Sequence, residues 1–129
     1  MRILIADDQI RVRQAMRILL AQQPGLQVIG EVSDGGELLA QVSVKKTDLA
    51  LVDWELPGLA EAGGLPALRS RCPGLQIIVL SGKSGVRSAA ESAGVDAFVS
   101  KGDPPENLLT ALGRCGAPVR LGGPDVTPE

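Results

Sequence analysis

Five short apolar runs, each of strand length and each followed by a helix-patterned segment, constrain this chain more than any other feature. They are RILIA (2–6), LQVIGEV (26–32), LALVD (49–53), LQIIVLS (75–81) and AFVS (97–100). Between the first two, Val12, Met16, Leu19 and Leu20 fall at helical spacing, and QPG (23–25) supplies a turn that ends the helix. Similar helices are expected over 37–44, 65–71, 84–93 and 105–112. Such alternation predicts an α/β fold with a parallel sheet covered by helices on both faces. Runs one, three and four are apolar almost throughout, as strands buried on both sides must be.

At 129 residues the chain suits one domain. The expected division is a folded unit over 1–115 and a tail or linker over 116–129, where three prolines and three glycines replace apolar periodicity. The net charge is −2, and no basic cluster exceeds Lys45–Lys46, which argues against nucleic-acid binding by this segment. The apolar runs are far too short to span a membrane, and two aspartates arrive before a signal-peptide core could form, so a soluble, cytoplasmic protein is expected. There is no histidine, and Cys72 and Cys115 form no CxxC pattern. Zinc sites of the usual ligand sets, histidine acid–base catalysis and Ser/His/Asp triads are thereby excluded. Chemistry must come from carboxylates, hydroxyls, lysine or a hard metal ion.

Ligands of open α/β sheets bind beyond the carboxyl ends of the strands. The polar residues at those ends are Asp7 and Asp8 after run one, Asp53 ending run three, Ser81 ending run four, and Ser100 and Lys101 at run five. A strand order of 2-1-3-4-5 would bring all of them to one edge. Two carboxylates roughly 4–5 Å apart repel by about 3–4 kcal/mol at an effective dielectric of about 20. Three such pairs cost on the order of 10 kcal/mol, comparable to the stability of a domain. Lys101 offsets part of this, and a divalent cation held by few protein oxygens, magnesium above all, would offset the remainder. Taken singly, Asp8 reads as a helix cap, Ser81 as a turn residue and Lys101 as a solvated charge. Asp53, between LALV and Trp54, has no such ordinary role, and the joint occurrence of these residues at successive strand ends favours a site.

These residues make the chain resemble the receiver domains of two-component response regulators, the CheY-like fold. ILIADDQ, LVDWELPG, VLSG and FVSKG stand in family order and spacing, and the resemblance covers roughly residues 2–114. It implies a flavodoxin-like three-layer sandwich with the order 2-1-3-4-5. It implies that Asp53 accepts a phosphoryl group from a sensor histidine kinase, that Asp7, Asp8, Asp53 and the backbone carbonyl of Glu55 hold Mg2+, and that Ser81 and Lys101 contact the phosphate. Ser81 and Phe98 would form a switch that alters the surface of helix 4, strand 5 and helix 5. Glu55, Gly82 and Lys83, near the mouth of the site, would set the lifetime of the phosphorylated state, with Glu55 and Lys83 able to pair across it. Enzymatic activity beyond self-phosphorylation and slow autodephosphorylation is not expected.

The chain departs from the family pattern in two places. The loop over 59–64 is longer than usual, with Pro66 suited to the first turn of a shortened helix 3. Gly102 follows Lys101 where many members have a cis proline, and KGDPPENLLTAL resembles the NarL/FixJ-type transcription regulators instead. Partners implied are a kinase, a second copy on phosphorylation, and either an effector protein or a DNA-binding domain beyond these residues. Two alternatives are a receiver-like interaction module that is never phosphorylated and a magnesium-dependent aspartate-nucleophile phosphatase. ADDQI lacks the DxD pattern the latter would carry after its first strand.

Overall fold

A computed structural model describes residues 1–120 of the chain. The elements alternate as β1 (Arg2–Ala6), α1 (Ile10–Ala21), β2 (Gln27–Val32), α2 (Gly35–Val44), β3 (Leu49–Asp53), α3 (Gly64–Arg71), β4 (Gln76–Ser81), α4 (Arg87–Ser92), β5 (Ala97–Ser100) and α5 (Pro105–Arg114). All strands pair in parallel in the order β2-β1-β3-β4-β5, as expected. Side chains alternate between the two faces of the sheet. Ile3, Ile5, Leu51, Leu80 and Val99 pack against Met16 and Leu20 of α1 and Leu108 and Leu112 of α5. Leu4, Val52, Ile77 and Val79 pack against Leu38 and Val42 of α2, Leu68 of α3 and Ala90 of α4. Strands β1, β3 and β4, which supply both layers, are the buried ones, whereas edge strand β2 is mostly half-exposed.

Helix boundaries differ from the periodicity where capping or glycine decides them. Helix α2 begins at Gly35 instead of residue 37 because Asp34 caps it, accepting from the Glu37 N–H at 2.8 Å, while Glu37 accepts from the Ser33 N–H at 2.9 Å. Helix α4 is shorter than the expected 84–93. Gly85 adopts φ +80°, a left-handed conformation that cannot continue a helix, and α4 starts only at Arg87. Helix α5 runs on to Arg114, two residues past expectation. Asp8 is not the cap of α1: Gln9 occupies that position and makes no side-chain cap bond.

The 59–64 loop, whose conformation the sequence left open, is a coil of tight turns. The N–H groups of Ala62, Gly63 and Gly64 donate to the carbonyls of Gly58, Ala60 and Leu59 at 3.0, 3.1 and 2.8 Å. It is moored to α2, where Gly35 N–H donates to Pro57 O at 2.7 Å and the two backbones touch so closely that a Cβ on Gly35 would lie 2.4 Å from Leu59 Cα.

The first residues of the expected tail pack onto the domain. Ala117 is buried, Pro118 covers Gly25, and the Gln23 side chain holds the Arg120 backbone at both groups, accepting from its N–H at 2.6 Å and donating to its C=O at 3.0 Å. The rest of that tail, 121–129, lies outside the described residues. Cys72 and Cys115 are free thiols. Among the described residues no helix is long and apolar enough to cross a membrane.

Candidate functional site

The carboxyl ends of β1, β3, β4 and β5 meet in one place. Asp7 directly follows β1 and is fully buried, Asp53 ends β3 at 4% exposure, and Asp8 is exposed. One oxygen from each of the three carboxylates lies within 4.8 Å of the others. Water screens Asp8, so the repulsion is concentrated in the buried Asp7–Asp53 pair. Lys101, just past β5, brings its Nζ to 2.8 Å from Asp7 Oδ2 and 3.5 Å from Asp53 Oδ1. Its backbone N–H donates to Ser81 O at 2.9 Å, which ties the end of β5 to the end of β4.

The same local device shapes three of these strand ends. Asp7 Oδ1 accepts from the Gln9 N–H at 2.8 Å, Asp53 Oδ1 from the Glu55 N–H at 3.1 Å, and Ser81 Oγ from the Lys83 N–H at 3.1 Å. Each side chain thus closes a turn over the residue two positions on.

Burial raises the pKa of Asp53 and Asp7's charge adds to the effect, against the Glu55 N–H and Lys101, which lower it. Burial alone would lower the Lys101 pKa, but its contacts with Asp7 and Asp53 more than offset this and the net shift is upward. The ammonium is therefore held charged among the carboxylates.

A divalent cation fits this donor set. Asp7 Oδ2 is buried, and its cationic neighbour is the Lys101 ammonium at 2.8 Å. Three carboxylates gathered within 4.8 Å around a single ammonium leave net negative charge, which suits a hard cation with oxygen ligands.

The predicted switch pair lies on the other face of the sheet. Asp53, Leu80 and Val99 follow the parity of the α1–α5 side, whereas Val79, Ser81 and Phe98 follow that of the α2–α4 side. Ser81 pairs with Ser100 and Phe98 with Val79, so Ser81 and Phe98 stand one pleat apart across adjacent strands. The Arg87 guanidinium lies over the Phe98 ring, 4.7 Å from its centroid. Glu55 and Lys83 face each other at 3.8 Å, and Gly82 packs beside the Lys101 stem, 3.9 Å from where a Cβ would stand to Cδ. Two residues with evident roles escaped the sequence reading, Arg87 and Arg13. Arg13 and Arg17 stand one helical turn apart in RVRQAMR, a visible signal for a shared acidic partner. Only the fold shows that the partner is Glu31 on β2.

The response regulator receiver domain model matches residues 3–113. The chain belongs to this family. It is 34% identical over 117 residues to the nitrate/nitrite response regulator NarP of Escherichia coli, covering 89% of this chain and 54% of that protein. It is 33% identical over 103 residues to protein-glutamate methylesterase/protein-glutamine glutaminase 5 of Myxococcus xanthus, covering 78% of this chain and 30% of that one. Among solved structures it resembles RcsB from Salmonella enterica serovar Typhimurium, bound to promoter rprA in the presence of phosphomimetic BeF3-, with TM-score 0.82 and 26% identity over 90% of this chain and 98% of that chain. The receiver therefore spans about half of NarP and less of the methylesterase.

Proposed function

We propose that this receiver is switched by phosphorylation of Asp53, with magnesium as cofactor. The observation that carries this reading is the buried Asp53 carboxylate, gathered with Asp7, Asp8 and Lys101 at one sheet edge. In the transfer, an Asp53 carboxylate oxygen forms a bond to phosphorus as the bond from phosphorus to the donor, a kinase phosphohistidine or acetyl phosphate, breaks and the donor leaves with the electron pair. Magnesium, held by Asp7, Asp8, Asp53 and the Glu55 carbonyl, would supply charge neutralisation at the phosphoryl oxygens. Lys101 would pivot from its carboxylate partners to a phosphoryl oxygen, adding electrostatic stabilisation. Self-phosphorylation and slow hydrolysis are the chemistry assigned to the domain, over residues 1–115.

Ser81 would follow the phosphoryl oxygen inward, and Phe98 would move into the space beside it, leaving the Arg87 contact and reshaping the groove between α4, β5 and α5. That groove is the surface proposed for effector binding or for pairing with a second copy. The kinase would dock on the α1 side, where Ile10 and Ile18 are exposed beside an apolar groove that reaches Lys101. The apolar face of a kinase helix fits such a surface. By its likeness to RcsB, seen bound to a promoter, the whole protein is proposed to be a cytoplasmic transcription regulator with a DNA-binding domain following residues 116–129.

Incubation with acetyl phosphate and magnesium, followed by intact mass, should add one phosphoryl group to the wild type and none to Asp53→Asn. Equal modification of both would place the phosphate elsewhere. Followed over time, the same assay tests Glu55 and Lys83. The pair is exposed and contributes about 0–1 kcal/mol to stability, so its proposed role is to limit water's access. Replacing both with alanine should speed loss of the phosphoryl group several-fold, and equal decay would reject that role.

A further inference from the structure

The polar atoms of Asp7 are held from four directions, and one of the holders belongs to no motif of the site. Its N–H donates to Val32 O at 3.1 Å, its Oδ1 accepts from Gln9 N–H, and its Oδ2 faces Lys101. Its carbonyl oxygen accepts from Arg13 Nη1 at 2.6 Å. Arg13 is itself aimed. Its Nε donates to Glu31 Oε1 at 3.1 Å, and Glu31 is held in turn by Arg17. The Arg13 side chain is only 16% exposed, so this is a packed contact between α1, β2 and the β1–α1 turn.

The bonds form a closed ring. Gln9 N–H reaches the Asp7 carboxylate, Arg13 N–H reaches Gln9 O at 3.2 Å, and the Arg13 guanidinium returns to Asp7 O. The Asp7–Asp8 peptide is planar, so fixing its carbonyl fixes the direction in which the chain enters Asp8. Asp8 is exposed, and among the described residues its side chain makes no hydrogen bond or ion pair that would set its distance from Asp7 and Asp53. Its place in the cluster is set through its backbone.

We infer that Arg13, aimed by Glu31, is a positioning residue that holds the Asp7–Asp8 peptide so that Asp8 stays with Asp7 and Asp53 as a ready-made divalent-cation site. The inference rests on the receiver reading above and adds to it a residue that touches neither metal nor phosphate. A planar guanidinium can serve the Glu31 carboxylate and the Asp7 carbonyl together, whereas an ammonium is a single point charge and cannot span both in the same way. Outer partners of metal ligands commonly change affinity about 10–100-fold when removed.

The test is magnesium titration of the intact protein, read by the emission of Trp54, the residue after Asp53, alongside thermal melting and the phosphorylation rate at saturating magnesium. Arg13→Ala should raise the magnesium Kd about ten-fold. Its phosphorylation rate should return toward wild type once magnesium saturates. Arg13→Lys should recover only part of the affinity. Glu31→Gln, which keeps the arginine but removes the charge that aims it, should weaken binding by a smaller factor, and it decides the matter if Arg13→Ala does not fold. Without magnesium, the Gln9 amide should exchange with solvent faster in Arg13→Ala. A lower melting temperature with unchanged magnesium affinity in Arg13→Ala, or unchanged affinity in Glu31→Gln where Arg13→Ala is unfolded, would reduce Arg13 to a structural tie and overturn the inference. A wild type that neither binds magnesium nor takes up phosphate would overturn the receiver site itself, a result distinguishable from the first.

Discussion

Asp53 is placed against its own charge. Burial and the neighbouring Asp7 disfavour its ionised form, while one backbone N–H and Lys101 favour it. The folded state therefore holds the Asp53 proton to higher pH than the unfolded chain does. The stability this side chain contributes is present below the unfolded pKa and is lost as pH rises through the folded one. At neutral pH without metal, Asp53→Asn should stabilise the protein by about 1–3 kcal/mol, the relieved repulsion exceeding the lost attraction of Lys101. The gain should shrink on acidification toward the carboxylate range. Thermal melting of both proteins at neutral and acid pH checks it, and a variant less stable than wild type at neutral pH would contradict the reading. Magnesium should raise the melting temperature of the wild type more than that of the variant, because binding to the folded state stabilises by mass action.

At the scale of elements, the site depends on how strands end and how loops are moored. The repeated turn at Asp7, Asp53 and Ser81 makes a strand end and its functional side chain one unit, so the chemistry is carried by the rigid sheet. The long loop after β3 could have made its neighbourhood mobile, but it is fastened through Gly35 at the start of α2. A side chain there would meet backbone, which cannot swing aside as a flexible side chain can. Gly35→Ala should therefore destabilise the fold by about 3 kcal/mol, at the upper end of ordinary overpacking. Chemical denaturation measures this directly. Gly74, around which a Cβ would meet nothing, is the matched control, and similar losses at both positions would refute the close-approach argument.

For the whole molecule, the chain leaves the receiver at the edge opposite the carboxylates. Gln23 and Gly25 lie in the turn between α1 and β2, where the N-terminal ammonium also donates to Gly25 O at 2.8 Å. The Gln23 amide binds the Arg120 backbone as a neighbouring strand would, so the residues after α5 have a fixed direction of exit. Gln23→Ala removes two hydrogen bonds and should cost about 1–2 kcal/mol. It should also speed tryptic cleavage after Arg120 several-fold while leaving phosphorylation at Asp53 unchanged. Equal cleavage rates would show that the clamp does not hold the exit.

The alternation of apolar runs and helical spacings determined the α/β class and the location of every element. Burial on one or two faces is written directly into the hydrophobic pattern, as in LALVD against the mixed QVIGEV. The polar residues closing those runs determined where chemistry could reside, since an unpaired carboxylate after a buried strand is too costly to be incidental. Tertiary structure decided what depends on residues distant in sequence. The start of α2 follows from capping by Asp34 and contact with Pro57 and Leu59, and the shortened α4 from the backbone at Gly85. The partner of Arg13 is fixed by β2 lying beside β1, and the ring beneath Arg87 by β5 lying beside β4. Local patterns are set by interactions a few residues apart, whereas a guanidinium's choice among carboxylates and carbonyls is made only when packing brings them within about 3 Å.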